Sequence, residues 1–473
     1  MLPLDARTAR LLPWIVAIAF FMQPLDGTIL NTALPSMAHD LAEDPLRMQS
    51  VVIAYMLTVA LLIPASGWIA DRFGTRRIFF GAILLFSLGS LLCALSQSLN
   101  MLIGARVIQG LGGALMMPVG RLVVLRAYPR SDLVRIMSFI TLPGLLGPLI
   151  GPTLGGWLVE YTSWHWIFLI NLPVGALGCW AAFKLMPDLR GPHRTRFDAI
   201  GFILFGTSMV LITIALEGLG ELGMAHVRVM LLLLGGLACL AAYWLRAGRT
   251  ENALFSPKLF NTRTFAVGIL GNMFARLGSG SLPFLTPLLL QLAMGYSPSQ
   301  AGMSMIPLAL AAMLMKPLAK PLIDRLGYRR ILTGNTLLLG ALIASMALVD
   351  GNSSPLQLIV QLSLIGAFNS LQFTAMNTVT LIDLRDDEAS SGNSLLSVVV
   401  QLSMSIGIAA AAALLSGFSA ENKGNPDAVA WAFQATYLCI GLLSMFAAAI
   451  FLQLSPAEGR SPRRANPEVD PQD

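Results

Sequence analysis

Charged residues are scarce in this chain. Only 12% of its 473 residues are Asp, Glu, Lys or Arg, whereas 55% are hydrophobic. Soluble domains carry about twice that proportion of charge, and a soluble fold with so much apolar sequence would expose large aggregation-prone patches. The composition therefore excludes an ordinary soluble domain. We interpret the formal net charge of +6 as a signal of membrane topology and predict no nucleic-acid partner.

Cysteine and histidine are also rare, with four residues of each. The histidines lie far apart in sequence and predict no metal site. No cluster of His, Cys and acidic residues offers the chemistry of a membrane enzyme, and no glycine-rich ATP-binding loop is present. The sequence therefore predicts neither an enzyme nor a cofactor, and no ATP-driven transport by this chain alone. The cysteines lie within apolar runs and cannot form a secreted disulfide framework; they are Cys93, Cys179, Cys239 and Cys439.

Apolar runs of about 20 residues recur along the chain, and each can cross a hydrocarbon layer about 30 Å thick. Fourteen such runs predict an all-α polytopic membrane protein. The first run is too long for a signal-peptide core and contains Asp26, so we expect it to be retained. The predicted spans are 11–35, 50–70, 78–97, 100–126, 134–160, 164–186, 198–218, 227–247, 262–292, 298–320, 330–349, 355–382, 389–418 and 429–454.

The distribution of Lys and Arg predicts the orientation of these spans. With the N-terminus in the cytoplasm, 25 of the 31 basic residues lie on the cytoplasmic side, three lie on the opposite side and three lie within spans. We therefore predict that both termini are cytoplasmic.

A charged sequence occurs twice. "GWIADRFGTRRI" begins at Gly67 and "KPLIDRLGYRRI" begins at Lys320, 253 residues later. Both fall on predicted cytoplasmic loops, after spans 2 and 10. Two repeats of six spans explain them if one additional helix pair lies between the repeats. The predicted 6 + 2 + 6 arrangement comprises a first half at 1–190, an inserted pair at 191–260, a second half at 261–455 and a polar, disordered cytoplasmic tail at 456–473.

Four motifs resemble signatures of the major facilitator superfamily. They are "GWIADRFGTRR" after span 2, "ARVIQGLGGA" in span 4, "GLLGPLIGPTLGG" in span 5 and "LDGTILNTALP" in span 1. The last of these resembles the signature of the fourteen-span drug:proton antiporters. The resemblance implies the major facilitator fold in a bacterial inner membrane. It also implies that small molecules, chiefly drug-like compounds, are exported in exchange for protons by alternating access. We expect the transporter to act as a monomer in the lipid bilayer.

The loop motif is predicted to form a cytoplasmic gate. Gly74 lets the chain reverse tightly, and the arginines hold the loop at the anionic membrane face. Asp71 ends span 2 near the predicted start of span 13, where a carboxylate gains from the helix dipole; the resemblance implies that this contact latches the cytoplasmic side in the outward-facing state. A purely topological loop would explain the arginines but not the repeated Asp–Arg–x–Gly order. The candidate gate residues are Gly67, Asp71, Arg72, Gly74, Arg76, Arg77, Asp324 and Arg325.

The motif in span 5 places a glycine at every fourth residue, so these glycines share one helix face and let another helix approach closely. Its prolines bend the helix. We predict a sliding seam between the halves that seals against ions; static packing of small residues is the alternative. The motif residues are Gly144, Gly147, Pro148, Gly151, Pro152, Gly155 and Gly156.

Three ionisable residues are predicted to share one depth in the membrane. At 1.5 Å per residue, Asp26, Arg106 and Arg276 each lie about 21 Å above the cytoplasmic face, where charges are costly and usually functional. Asp26 is the only deep carboxylate and the candidate proton site, and Arg106 resembles the fourth-helix arginine that the family ties to proton transfer. A structural ion pair is the alternative. The candidate cavity residues are Asp26, Arg106, Arg276, Asn31, Gln109 and Asn272.

The repeat also predicts a contact between the halves. Its offset sets Asp26 against Gly278, within two residues of Arg276, so we expect Asp26 and Arg276 to pair, directly or through water, when the outer side is closed. Two deep arginines outweigh one acid, so charge balance favours a small organic anion, such as a di- or tricarboxylate or its metal chelate, whereas the resemblance favours drug-like cations. A non-transporting receptor would need a soluble signalling domain, which the sequence lacks.

Overall fold

The computed structural model describes residues 6–190, 197–220, 226–250, 253–350, 353–421 and 428–455. Every regular element within these ranges is helical, which confirms the all-α prediction. The predicted tail at 456–473 lies outside the described residues.

Fourteen long helices run through the described part of the chain. In order they are α1 Ala6–Ile29, α2 Gln49–Phe73, α3 Thr75–Ala94, α4 Leu99–Ala127, α5 Arg130–Tyr161, α6 Asn171–Leu185, α7 Ala199–Gly220, α8 His226–Ala247, α9 Arg263–Leu288, α10 Ile306–Leu326, α11 Tyr328–Ser345, α12 Pro355–Leu381, α13 Asp386–Glu421 and α14 Ala428–Phe446. Short helices flank several of them, namely Leu34–Asp40 after α1, Trp166–Leu169 before α6, Pro298–Ser304 before α10 and Ala448–Phe451 after α14.

Counted together with their short flanking helices, thirteen of these helices are apolar and long enough to cross a membrane by composition and length. The remaining one, α9, has 26 residues, which is about 39 Å of helix and sufficient to span. It carries Asn272 and Arg276, and most of its residues are buried against other helices. A helix that is enclosed by protein need not present an apolar surface to lipid, so we count α9 as the ninth span.

The two halves repeat the same helix contacts. Helix α1 packs on α5 as α9 packs on α13, and α2 packs on α4 as α10 packs on α12. Likewise, α3 packs on α6 as α11 packs on α14. This correspondence is what a duplication of six-helix units produces.

The inserted helices α7 and α8 pack on each other and also join the halves. Helix α7 contacts both α2 of the first half and α13 of the second half. One apolar cluster unites Ala60 of α2, Met209 of α7, Tyr243 of α8, Phe265 of α9 and Leu395 of α13. The inserted pair therefore lies at the seam between the halves.

The halves meet most closely at one end of the bundle. We call the end that carries the loops at Gly74 and Gly327 the basic end, and the opposite end the far end. At the far end, a single apolar core contains residues of both halves, including Leu30, Val52 and Leu285. Toward the basic end, one cluster lies within the first half and another lies within the second half, while the cluster that includes the inserted pair still joins the halves there. The structure is thus closed at the far end.

Short-range contacts complete this closure. A Cβ atom on Gly156 of α5 would overlap the carbonyl of Pro298, and one on Gly302 would overlap the carbonyl of Pro152. The Ser299 amide donates to Glu160 Oε2 at 2.9 Å. Gln291 Nε2 donates to the Thr32 carbonyl at 3.0 Å. Glycines and main-chain atoms thus add close contacts to the apolar core of this seam.

Candidate functional site

The centre of the first half holds a buried ion pair. Helix α1 carries Asp26 and α4 carries Arg106, and each residue is only 1% exposed. Arg106 Nη1 lies 2.6 Å from Asp26 Oδ2. The two residues that were predicted to share a depth are therefore in contact. Burying two charges is tolerated only when their remaining polar atoms are also satisfied.

Neutral side chains supply those further contacts. Asp26 Oδ1 accepts hydrogen bonds from Gln109 Nε2 at 2.7 Å and from Asn171 Nδ2 at 3.0 Å. Both amides also donate to Ser90 Oγ, at 2.7 and 3.2 Å. Gln109 Oε1 accepts from Arg106 Nη1 at 2.6 Å. The carboxylate is therefore held by one cation and one amide of α4 and by one amide of α6.

Helix α2 completes the environment of the arginine. Arg106 Nε donates to the Val51 carbonyl at 3.3 Å. Its guanidinium carbon lies 4.2 Å from the ring centroid of Tyr55, a distance at which an aromatic face attracts a cation. Arg106 would thus keep several partners if Asp26 lost its charge.

Sequence reasoning identified part of this network. Gln109 contacts Asp26 directly, but Asn31 donates instead to the Gly27 carbonyl of its own helix, at 3.4 Å. Asn171 and Ser90 were not predicted. The available signal for Asn171 was an amide inside the apolar run "IFLINLPVG", immediately after the short helix Trp166–Leu169.

Arg276 occupies a separate site in the second half. Its Nε donates to Asn272 Oδ1 at 3.0 Å, and its Nη2 donates to Asn377 Oδ1 at 3.4 Å. The guanidinium carbon lies 4.4 Å from the ring centroid of Phe373, and the residue is 5% exposed. Among the described residues, its contacts are neutral.

The expected direct pair of Asp26 and Arg276 is therefore wrong for this conformation, although the far end is closed. Both oxygens of Asp26 are occupied by donors of the first half. The physical reason is that Arg106 reaches the same depth from within that half. The repeat offset predicted the depth of Arg276 but not the direction of either side chain.

The glycine face of the span 5 motif is confirmed, but its partner differs from the prediction. Cβ atoms on Gly144, Gly147, Gly151 and Gly155 would each press on α1, at positions between Phe20 and Thr32. Thr28 Oγ1 of α1 also lies 3.3 Å from the Gly147 carbonyl. These glycines pack α5 within its own half. Within the predicted motif, the contacts with the second half come from Pro152, Thr153 and Gly156. Pro152 and Gly156 directly follow glycines of that face, and the next residue on a helix points about 100° away.

The repeated loop reverses through glycine in both copies. Gly74 has φ +92° and Gly327 has φ +80°, a region that glycine enters without steric cost. This outcome confirms the predicted tight turn. Gly67 does not bring another helix close in this conformation, since a Cβ there would meet nothing within 4 Å. Gly67 and its counterpart Lys320 are both exposed.

Asp71 contacts a residue that was not predicted. Its Oδ1 lies 2.6 Å from Arg126 Nη2 at the end of α4, and the two side chains are 34% and 25% exposed. Arg72 lies over the Trp68 ring, with 5.5 Å between guanidinium carbon and centroid. Arg76 donates to the Phe183 carbonyl. In the second copy, Asp324 and Arg325 are exposed.

Comparison with known proteins agrees with this architecture. The family model of the Major Facilitator Superfamily matches residues 16–407 and 268–471. A protein of Serratia proteamaculans (strain 568), named "Putative multidrug resistance protein MdtD", is 50% identical over 456 residues, covering 96% of this chain and 95% of that protein. A protein of the same name from Yersinia enterocolitica is 51% identical over 440 residues, covering 93% of each.

Solved structures share the fold at much lower identity. A POT family transporter in complex with 5-aminolevulinic acid superposes with a TM-score of 0.71 at 16% identity, covering 95% of this chain and 97% of that one. A bacterial homologue of the human lysosomal transporter Spinster gives 0.68 at 17% identity, with the same coverage. The family match spans most of the chain and the helix arrangement agrees with it, so this protein belongs to the major facilitator superfamily of membrane transporters.

Proposed function

We propose that this protein is a proton-coupled efflux transporter of the bacterial inner membrane that exports small drug-like molecules by alternating access. The observation that carries the proposal is the buried ion pair of Asp26 and Arg106, whose charged atoms lie 2.6 Å apart inside the first half of the protein. A deep carboxylate with a single cationic partner can gain or lose a proton with only a small change in geometry. The name of the relatives, multidrug resistance protein, supports drug-like substrates.

The geometry suggests how protonation reaches the seam between the halves. A proton on Asp26 removes the counter-charge of Arg106, which keeps its contacts with Gln109 Oε1 and the Tyr55 ring. The attraction between the side chain of Asp26 and α4 then weakens, and α1 can shift. Because α1 packs against the glycine face of α5, its shift displaces α5 and with it Gly156 at the far-end seam.

In this proposal the structure represents the inward-facing state. With both termini cytoplasmic, the basic end faces the cytoplasm and the closed far end faces outward. Residues 1–190 and 261–455 rock as two bodies of one monomer, with 191–260 between them. In the outward-facing state, Asp71 exchanges Arg126 for the start of α13. That exchange is inexpensive, since exposed ion pairs contribute only about 0–1 kcal/mol.

The decisive experiment uses purified protein in proteoliposomes with an imposed pH gradient. We expect drug-driven proton flux in the wild type and none with Asp26→Asn. Asp198→Asn is the matched control, because Asp198, just before α7, is another buried carboxylate and is paired with the partly exposed Arg246 at 2.6 Å. That control should keep the flux. Proton flux that survives Asp26→Asn would overturn the proposal.

A second candidate substrate class is small organic anions, such as di- or tricarboxylates or their metal chelates. The observation that favours it is Arg276, a buried cation whose contacts among the described residues are the neutral Asn272, Asn377 and Phe373. The same proteoliposomes separate the two classes. Carboxylate-driven flux that is lost with Arg276→Gln would establish the anion, whereas flux with lipophilic cations alone would exclude it.

A further inference from the structure

A pocket lies at the basic end, outside the transport pathway described above. It has a volume of about 410 Å³ and is lined by Arg76, Arg77, Phe80, Phe183 and Asp188. The arginines belong to the first turn of α3, and Phe183 belongs to the last turn of α6. Because both helices end here, the pocket lies at the boundary between the hydrocarbon layer and water.

The rim of the pocket is cationic. Arg76 uses one donor on the Phe183 carbonyl and lies 5.2 Å from the ring centroid of Phe183, which leaves most of its five N–H donors for another partner. Arg77 is exposed. The one acid, Asp188, lies 3.7 Å from Arg190, so its charge is partly compensated. The N-terminus of α3 adds the positive end of its helix dipole at the same place.

The wall below the rim is apolar and lies on the outer surface of the helix bundle. Phe183 is 54% exposed, and its ring centroid lies 6.0 Å from that of Phe80. Trp180 and Leu84, one turn deeper on α6 and α3, are 58% and 51% exposed. A cationic rim above an apolar wall matches a molecule with an anionic head and a hydrocarbon tail.

We propose that this pocket binds the headgroup phosphate of an anionic phospholipid, whose acyl chain lies on the wall formed by Phe80 and Phe183. Basic pockets between helices at the membrane surface are suited to such headgroups. The site would link the repeated loop after α2 to the end of α6. This inference is independent of the proposed transport chemistry and requires only that the protein spans a membrane.

The second copy of the loop provides a matched control. Arg329 and Arg330 begin α11 as Arg76 and Arg77 begin α3, at the same end of the bundle. In the second half, however, the helix Ala448–Phe451 packs on α11, and Phe451 is fully buried, unlike the exposed Phe183. Removing either arginine pair takes the same charge from the same membrane surface.

Native mass spectrometry of the purified protein, titrated with phosphatidylglycerol, cardiolipin or phosphatidylcholine, tests the site. Each arginine contributes about a factor of five to the attraction, so Arg76→Gln with Arg77→Gln should weaken binding of both anionic lipids about thirtyfold. Arg329→Gln with Arg330→Gln should leave the tight site in place. Asp188→Asn should strengthen binding about fivefold, because it removes the only acid of the pocket.

Three results would overturn the proposal. Equal weakening by the two arginine pairs would indicate general attraction to the surface, and equal affinity for phosphatidylcholine would exclude an anionic headgroup. Displacement of the lipid by millimolar inorganic phosphate, with no loss in Phe183→Ala, would identify a free-phosphate site. If the double variant does not fold, Arg77→Gln alone serves, since the Arg77 side chain forms no hydrogen bond or ion pair among the described residues. Unchanged binding in that variant would equally count against the site.

Discussion

At the scale of single residues, two buried arginines of this protein differ in what surrounds them. Arg106 faces a carboxylate at 2.6 Å, whereas Arg276 faces amides and an aromatic ring. The same substitution in the two places should therefore have opposite effects on stability.

Arg106→Gln should destabilise the protein strongly, by about 3–5 kcal/mol, because it leaves the carboxylate of Asp26 buried without its cation. The double variant Asp26→Asn with Arg106→Gln should lose much less than the sum of the two single variants. Thermal melting in detergent measures all three. Strictly additive losses would show that the pair contributes nothing as a unit.

Arg276→Gln should leave the melting temperature unchanged or raise it, since a charge that is buried without a counter-ion costs stability. The melting temperature of Arg106→Gln in the same detergent gives the comparison, since that variant is expected to lose stability. A large loss of stability in Arg276→Gln would mean that this arginine has a counter-ion in the folded protein.

The residues of the site were only partly predictable. Asp26 and Arg106 stand out from sequence because a charge inside an apolar run is rare and expensive. Asn171 and Ser90 do not stand out, because neutral polar side chains are common in membrane helices. The prediction that Arg276 pairs with Asp26 was wrong for a different reason. Sequence offset predicts the height of a residue along a helix bundle, but the direction of a side chain depends on helix rotation.

At the scale of elements, the glycine face of α5 shows what a sequence period can predict. Gly147, Gly151 and Gly155 predict that some helix approaches closely, and one does. Their period does not identify that helix, which is α1 of the same half. The spans themselves were predictable from length and hydropathy, and α9 shows the limit, since its polar residues are enclosed by other helices.

Gly155→Ala should lower stability by about 1–3 kcal/mol, the usual cost of overpacking, because its Cβ would overlap the Ile29 carbonyl of α1. Gly81→Ala in α3 is the control, since a Cβ there meets nothing within 4 Å. That variant should be neutral or stabilising by up to about 1 kcal/mol. Equal melting of the two variants would contradict close packing of α1 on α5.

At the scale of the whole molecule, the division of the apolar core sets the conformational state. One core joins the halves directly at the far end, while toward the basic end each half has its own core and the two are joined through the cluster of the inserted pair. The 6 + 2 + 6 arrangement was predictable from the repeated loop and the span count. The position of α7 between α2 and α13 was not predictable. Helix α7 is largely apolar, and its sequence contains no pattern that indicates which helices it packs against.

Asp71→Asn should shift the population toward the state that is open at the basic end and lower transport, with normal expression, because the latch to α13 loses its charge. Asp324→Asn should act in the same direction but more weakly, since Lys320 already alters that copy. Labelling of single cysteines at the basic end measures the shift. Unchanged labelling in Asp71→Asn would contradict the proposed latch.

The two closures of this transporter should respond differently to ionic strength. At the far end, the halves share an apolar core, and the polar contacts between them are neutral apart from one carboxylate bonded to a main-chain N–H. Screening acts mainly on exposed charge pairs, so concentrated salt should leave this closure intact. At the basic end, the proposed closure is the contact of Asp71 with the start of α13. Asp71 is partly exposed, so the same salt should weaken that contact. The ionic strength around the protein would therefore bias the two closures of the transport cycle unequally.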